Sequence, residues 1–191
     1  MARIVKQPDI RREELLNIGV KLYFDAGEKG ISIQQVVKQA DVATGLFYYY
    51  FKSKDDFLDE ALNYYIDENI SLFEVILEND TLTAYEKLDA VLNAYSQYAH
   101  KMIPLRSNKA FHTERHYALT EKLIARLHSK VSKLLMQGLS ENVFEIGDVD
   151  ITAGFILSGL SSVFDVKTDI SKDSISELKR IVNKILKGQQ K

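Results

Sequence analysis

Residues 32–54 read SIQQVVKQADVATGLFYYYFKSK, and this stretch decides the fold. Ser32 followed three residues later by Gln35 is a capping box, in which each side chain satisfies an early amide of a helix. It opens a short helix over about 33–39 that turns Ile33, Val36 and Val37 inward. Ala40-Asp41-Val42 forms a tight connection. A second short helix follows over about 43–50, with Phe47 and Phe51, four apart, closing its inner face. Two short helices joined by such a turn form a helix-turn-helix. Ala40 is small enough to let the helices approach, and Val42 plugs the core beneath the turn.

The outer face of the second helix then carries Thr44, Gly45, Leu46, Tyr48, Tyr49 and Tyr50. Three consecutive tyrosines cannot share one face of a helix, so at least one points outward. Gly45 lets backbone come close to a duplex. Thr44 can donate to a phosphate or a base edge, and Leu46 can touch a thymine methyl. Tyrosine hydroxyls reach phosphates without charge, and Lys52 and Lys54 follow as ammonium groups. With Ser32 at the head of the first helix, the expected DNA-facing set is Ser32, Thr44, Gly45, Leu46, Tyr48, Tyr49, Tyr50, Lys52 and Lys54.

From Val42 to Lys54 the chain resembles the recognition helix and following turn of the TetR family of transcriptional regulators. Their pattern is Val-Ser-x-Gly-x-hydrophobic-Tyr-x-His/Tyr-Phe-x-Ser/Asn-Lys. The resemblance is close over the first quarter of the chain; beyond it, only the length and the series of helices match. Ala43 departs from the pattern, standing where a small hydroxyl residue usually caps the helix and touches phosphate. Leu46 is apolar where a polar base reader is common. The resemblance implies a double-stranded DNA partner with a palindromic operator, a homodimer, and a small-molecule effector of unspecified identity. It implies a regulator, most simply a repressor, with no catalytic residue and no cofactor.

Outward from this motif the pattern is all-α, with about nine helices. Asp9 is placed to cap a first helix ending near Ala26, stopped by Gly27 and Gly30. Ser53 opens a long fourth helix to about 78, with Asp55 and Asp56 at its positive end. Thr83 and Glu86 form another capping box ahead of a fifth. Pro104 interrupts, and a short sixth helix is expected over 105–110. Three more follow, over about 113–141, 149–164 and 173–186. The domains divide as 1–52, the helix-turn-helix, and 53–191, the helical ligand-binding and dimerisation part.

Composition sets the outer bounds. The 191 residues contain only two prolines and no cysteine, which favours helices and excludes disulfides and thiolate metal sites. Net charge is −2, but residues 1–54 hold nine basic side chains against six acidic ones. That leaves +3 on this part and −5 on the rest, a basic head on an acidic body. Neither a signal peptide nor a bilayer-spanning run is present, so a cytoplasmic protein without membrane contact is expected.

Two further sites follow from the resemblance. An effector pocket among helices four to eight is assigned to Tyr65, Tyr95, Tyr98, Phe111, His112, Arg115 and Phe155. A dimer interface from the last two helices is assigned to Phe155, Ser158, Gly159, Ser162, Leu178, Ile181, Val182 and Ile185. The small residues there permit close helix approach. The rival from another class is a helical metalloenzyme using His112 and His116, which lie four apart on one helix face and could share a metal.

Overall fold

The structure is a computed structural model that describes residues 8–102, 113–165 and 172–187. Among these residues the chain forms eight α-helices and one short 3-10 turn, with no strand. The helix expected over 105–110 lies outside the described residues. The chain divides into two compact units: Met1–Glu68 with Ser107–Leu119, and Asn69–Arg106 with Thr120–Lys191.

In the first unit, α1 runs Pro8–Ala26. Pro8 is the first helical residue, where its missing N–H costs nothing. Asp9 therefore sits inside the first turn, facing the positive helix end, rather than in front of it as a cap. Gly27 stops α1 at φ 69°, ψ 169°, a conformation that suits only glycine. The 3-10 turn Glu28–Gly30 follows, and then Ser32 caps α2, Ile33–Gln39. The capping box is formed in full: the Gln35 amide donates to Ser32 Oγ at 3.2 Å, and the Ser32 amide donates to Gln35 Oε1 at 2.8 Å.

The connection to α3, Thr44–Tyr50, is made by Asp41 in the left-handed region at φ 52°. There the Val42 amide donates back to Val37 O at 3.0 Å. Ala43 stands at the N-cap of α3 and makes no side-chain cap bond. Phe51 leaves the helix in extended conformation, and α4 then runs Lys54–Leu77. Ser53 Oγ accepts from the Asp56 amide at 3.1 Å, while the Asp56 carboxylate accepts from the Lys52 amide at 2.8 Å.

The core of this unit is aromatic. Phe47, Phe51 and Phe57 are fully buried, with ring centroids 4.9 to 5.3 Å apart. Burying each ring contributes about 1.5–3 kcal/mol. Gly19 of α1 lets Phe57 in: a Cβ there would lie 2.5 Å from its ring tip.

In the second unit, α5 spans Ala84–Met102, α6 Glu114–Ser140, α7 Val149–Asp165 and α8 Lys172–Leu186. The opening residues of α6 belong to the first unit. Thr83 and Glu86 form the expected box before α5: the Thr83 amide donates to Glu86 Oε2 at 2.8 Å and the Glu86 amide to Thr83 Oγ1 at 3.3 Å. The bond from the Thr83 backbone, then that from its hydroxyl, holds the Glu86 carboxyl below its usual range. After α6 the chain reverses through Asn142 at φ 58°. The Gly138 carbonyl accepts from both Val143 and Phe144, at 2.9 and 3.1 Å, an arrangement that satisfies the end of a helix. Leu127, Val131, Leu134, Leu135, Phe144, Ile156, Val182 and Leu186 are buried here.

Candidate nucleic-acid interface

Helix α3 is amphipathic over two turns. Phe47 is its one buried residue. Thr44 and Gly45 are exposed, Leu46 is half-buried, and Tyr48 and Tyr49 are 56% and 74% exposed. No atom lies within 4 Å of where a Cβ on Gly45 would stand. The outward side of α3 thus offers a bare backbone, one hydroxyl and two phenol rings. Lys52 is exposed just beyond.

Three members of the expected set also make bonds within the fold. Tyr50 is half-buried, its ring against Tyr49 at 4.9 Å, and its hydroxyl donates to Pro8 O at 3.0 Å. That bond ties α3 to the start of α1. Lys54 is half-buried, and its ammonium donates to Glu28 O and Ile31 O, both at 3.3 Å. It closes the carbonyl end of the 3-10 turn. Ser32 spends its hydroxyl in the capping box, donating to Gln35 Oε1 at 2.9 Å as well as accepting from its amide. Arg12, absent from that set, ion-pairs with Glu60 and lies 5.6 Å above the Phe51 ring.

The expected effector residues are scattered. Phe111 and His112 lie outside the described residues. Tyr65 is half-buried and stands edge-on to Phe24 at 5.0 Å in the first unit. Arg115 is taken up by ion pairs with Glu28, Asp55 and Asp59, again in the first unit. Burial works to lower its pKa, but the Glu28 bonds and the charges of all three acids outweigh it, and the net shift is upward. It is the centre of an ion-pair cluster, and with Gly27, Glu28, Lys29, Asp59 and Thr113 it lines an open cleft of this same unit. In the second unit Tyr95 is buried, with its hydroxyl donating to Leu160 O at 2.9 Å. Tyr98 is half-buried. Phe155, assigned to both pocket and interface, is 67% exposed, so it lies on the outside of this chain.

The expected interface residues sort more cleanly. On α7, Phe155, Ser158, Gly159 and Ser162 are all exposed and recur at helical spacing on one face, with exposed Ile151 one turn earlier. On α8, Ile181 is exposed and Ile185 half-buried. Val182, at 3% exposure, faces its own core, as a residue one position from an outward Ile181 must. Leu178 likewise packs against the Tyr95–Ala99 cluster of the same chain.

Of the two histidines in the metalloenzyme alternative, His116 is buried near the Tyr117 ring at 6.3 Å. Among the described residues no three His, Cys, Asp or Glu side chains group to hold a metal. Among them, too, no helix is long and apolar enough to cross a membrane.

Comparison with known proteins bears directly on the head. Residues 15–61 match the family described as bacterial regulatory proteins, tetR family. The repressor KstR2 of Mycolicibacterium smegmatis is 31% identical over 88 residues, 46% of this chain and 42% of that protein. KstR2 of Rhodococcus jostii is 28% identical over 111 residues, 54% of its length. The chain thus spans about half the length of these two relatives. KstR2 of Mycobacterium tuberculosis is 23% identical over 162 residues, 82% of this chain and 80% of that one. Among solved structures, reduced NemR of E. coli superposes with TM-score 0.73 at 20% identity, over 95% of this chain and all of that one. A TetR/AcrR-family regulator of Thermobifida fusca gives 0.71 at 18%, over 91% and 97%. These likenesses share the fold, and the relatives are regulators, which leaves the metalloenzyme alternative without support. The helix-turn-helix of residues 32–54, the matching profile around it and the all-α fold agree: over residues 15–61 the chain is similar to the tetR family of bacterial regulatory proteins.

Proposed function

We propose that the chain is a transcriptional repressor that binds a palindromic DNA operator as a homodimer and releases it when a small molecule occupies the second unit. The observation that carries the reading is the outward side of α3, where Thr44, Gly45, Tyr48 and Tyr49 are exposed while Phe47 is buried on the inner side. A short helix with a bare glycine and projecting hydroxyls fits the major groove, and phosphate contacts by Lys52 and neighbouring cations would fix its register. The repressor sense follows the KstR2 relatives, which are repressors. Release requires that the effector favour the non-binding arrangement; equal affinity for both would shift nothing.

Tyr49→Ala is expected to weaken binding to an operator selected from genomic fragments by about 1–2 kcal/mol, roughly five- to thirty-fold. Stability should hold, because the ring is mostly in solvent. A polarisation titration checks this, and affinity equal to that of the parent removes Tyr49 from the reading face.

The dimer is assigned to the outward strip Ile151, Phe155, Ser158, Gly159 and Ser162, together with Ile181. Small residues among large ones permit close approach of two helices, and a twofold dimer mirrors a palindrome. Phe155→Arg would place a cation at the centre of that strip. The expected result is monomeric mass by analytical ultracentrifugation at concentrations where the parent is dimeric. An unchanged dimer moves the interface elsewhere.

A further inference from the structure

The first unit is completed by a piece of chain from far along the sequence, the opening of α6. Thr113 caps that helix, its Oγ1 accepting from the His116 amide at 3.2 Å, and the same oxygen lies 3.1 Å from the hydroxyl of fully buried Tyr23 in α1. Arg115 follows. Its guanidinium forks onto Glu28, with Nε to Oε2 at 3.3 Å and Nη2 to Oε1 at 3.4 Å. Nη2 also reaches Asp55 Oδ1 at 3.5 Å, and Nη1 pairs with Asp59.

These partners have particular places in the chain. Glu28 opens the 3-10 turn that leads into α2, and Asp55 and Asp59 lie four apart at the start of α4, just after α3. One side chain therefore holds both flanks of the α2–α3 reading pair. Lys54 holds the same 3-10 turn through the carbonyls of Glu28 and Ile31. The Arg115 side chain is only 19% exposed, so its charge is less screened than a surface ion's. Three carboxylates meet this one cation. Without it they would repel one another and push the turn away from α4. The surplus of negative charge also makes the cluster a poor place for a phosphate.

We propose that Arg115 is a positioning residue for DNA reading: it fixes where α2 and α3 sit by clamping the segments before and after them, without touching DNA itself. The proposal rests on the DNA-reading function proposed above.

The test uses the full chain and a duplex that the parent protein enriches from a random-sequence pool. Arg115→Gln should bind that duplex about tenfold more weakly. The slope of log affinity against log salt should stay unchanged, since no phosphate contact is lost. Arg115→Lys should recover only part, because an ammonium cannot present the fork. A slope lower by about one would mark a direct phosphate contact, and unchanged affinity would mean no positioning role; either overturns the proposal. Asp59→Asn, which removes one exposed arm, guards against a misfolded Arg115→Gln. It should weaken binding less and leave the slope alone, and full affinity in it and in Arg115→Lys overturns the clamp. Hydrogen exchange gives a reading independent of DNA. In Arg115→Gln, amides over 27–33 and 54–59 should exchange faster while those of α7 do not change, and equal protection overturns the proposal. If the parent enriches no duplex, the DNA-reading function fails, and hydrogen exchange alone decides the clamp.

Discussion

Phe47→Ala is expected to cost about 3–5 kcal/mol and to abolish DNA binding by melting the reading head. Phe47 has no exposed surface, and its ring lies 5.3 Å from Phe51, 5.1 Å from Phe57 and 5.5 Å from Tyr48. Alanine would leave a hole among rings that cannot collapse into it, because Phe51 and Phe57 are themselves held 4.9 Å apart. Domains of this size have only about 5–15 kcal/mol in all, so the loss removes a large share. Helix α3 has no side-chain cap and is seven residues long, too short to persist without its packing. Urea titration followed by circular dichroism checks the loss, with Tyr49→Ala as comparison at less than about 0.5 kcal/mol. A Phe47→Ala protein as stable as the parent would mean that the aromatic cluster does not hold the head.

Gly138→Ala should be the most damaging single-methyl change in the second unit, at about 3 kcal/mol. A Cβ at 138 would stand 1.8 Å from Phe144 Cδ2, 2.3 Å from Cε2 and 2.5 Å from Cγ. These are atoms of a buried ring rather than the tip of a flexible chain, so the whole ring must move. It is restrained from doing so by the bonds from the Val143 and Phe144 amides to the Gly138 carbonyl. The double variant Gly138→Ala, Phe144→Ala should be less destabilised than the sum of the two singles, because the second change clears the space the first one needs. Strict additivity in thermal unfolding would show that the two residues are not in conflict.

What the sequence made legible was whatever depends on neighbours in the chain. The pairs Ser32–Gln35 and Thr83–Glu86 set the starts of α2 and α5, and both boxes are present because both partners lie within one turn. Spacing of apolar residues gave α2 and α7 nearly to the residue, and turned Phe47 inward and Tyr49 outward. What was not legible are bonds across long separations. Nothing near Tyr50 points to Pro8, and nothing near Lys54 points to the carbonyls of Glu28 and Ile31. Likewise Arg115 reads as an ordinary pocket cation until three carboxylates from distant segments are seen around it. Adjacent apolar residues on α8 were also beyond sequence: Ile181 and Val182 have similar chemistry, and only packing shows which one faces out.

The shortness of α3 limits how much text one head can read. Seven residues make a rod roughly 10 Å long, and successive base pairs rise about 3.4 Å, so such a rod meets about three or four of them. With four distinguishable pairs per position, a word of four letters recurs about once in 250 by chance. A genome offers on the order of a million competing places or more. A lone head is too brief an address to single out one gene, whereas two heads at fixed separation spell a word rare enough to begin to matter.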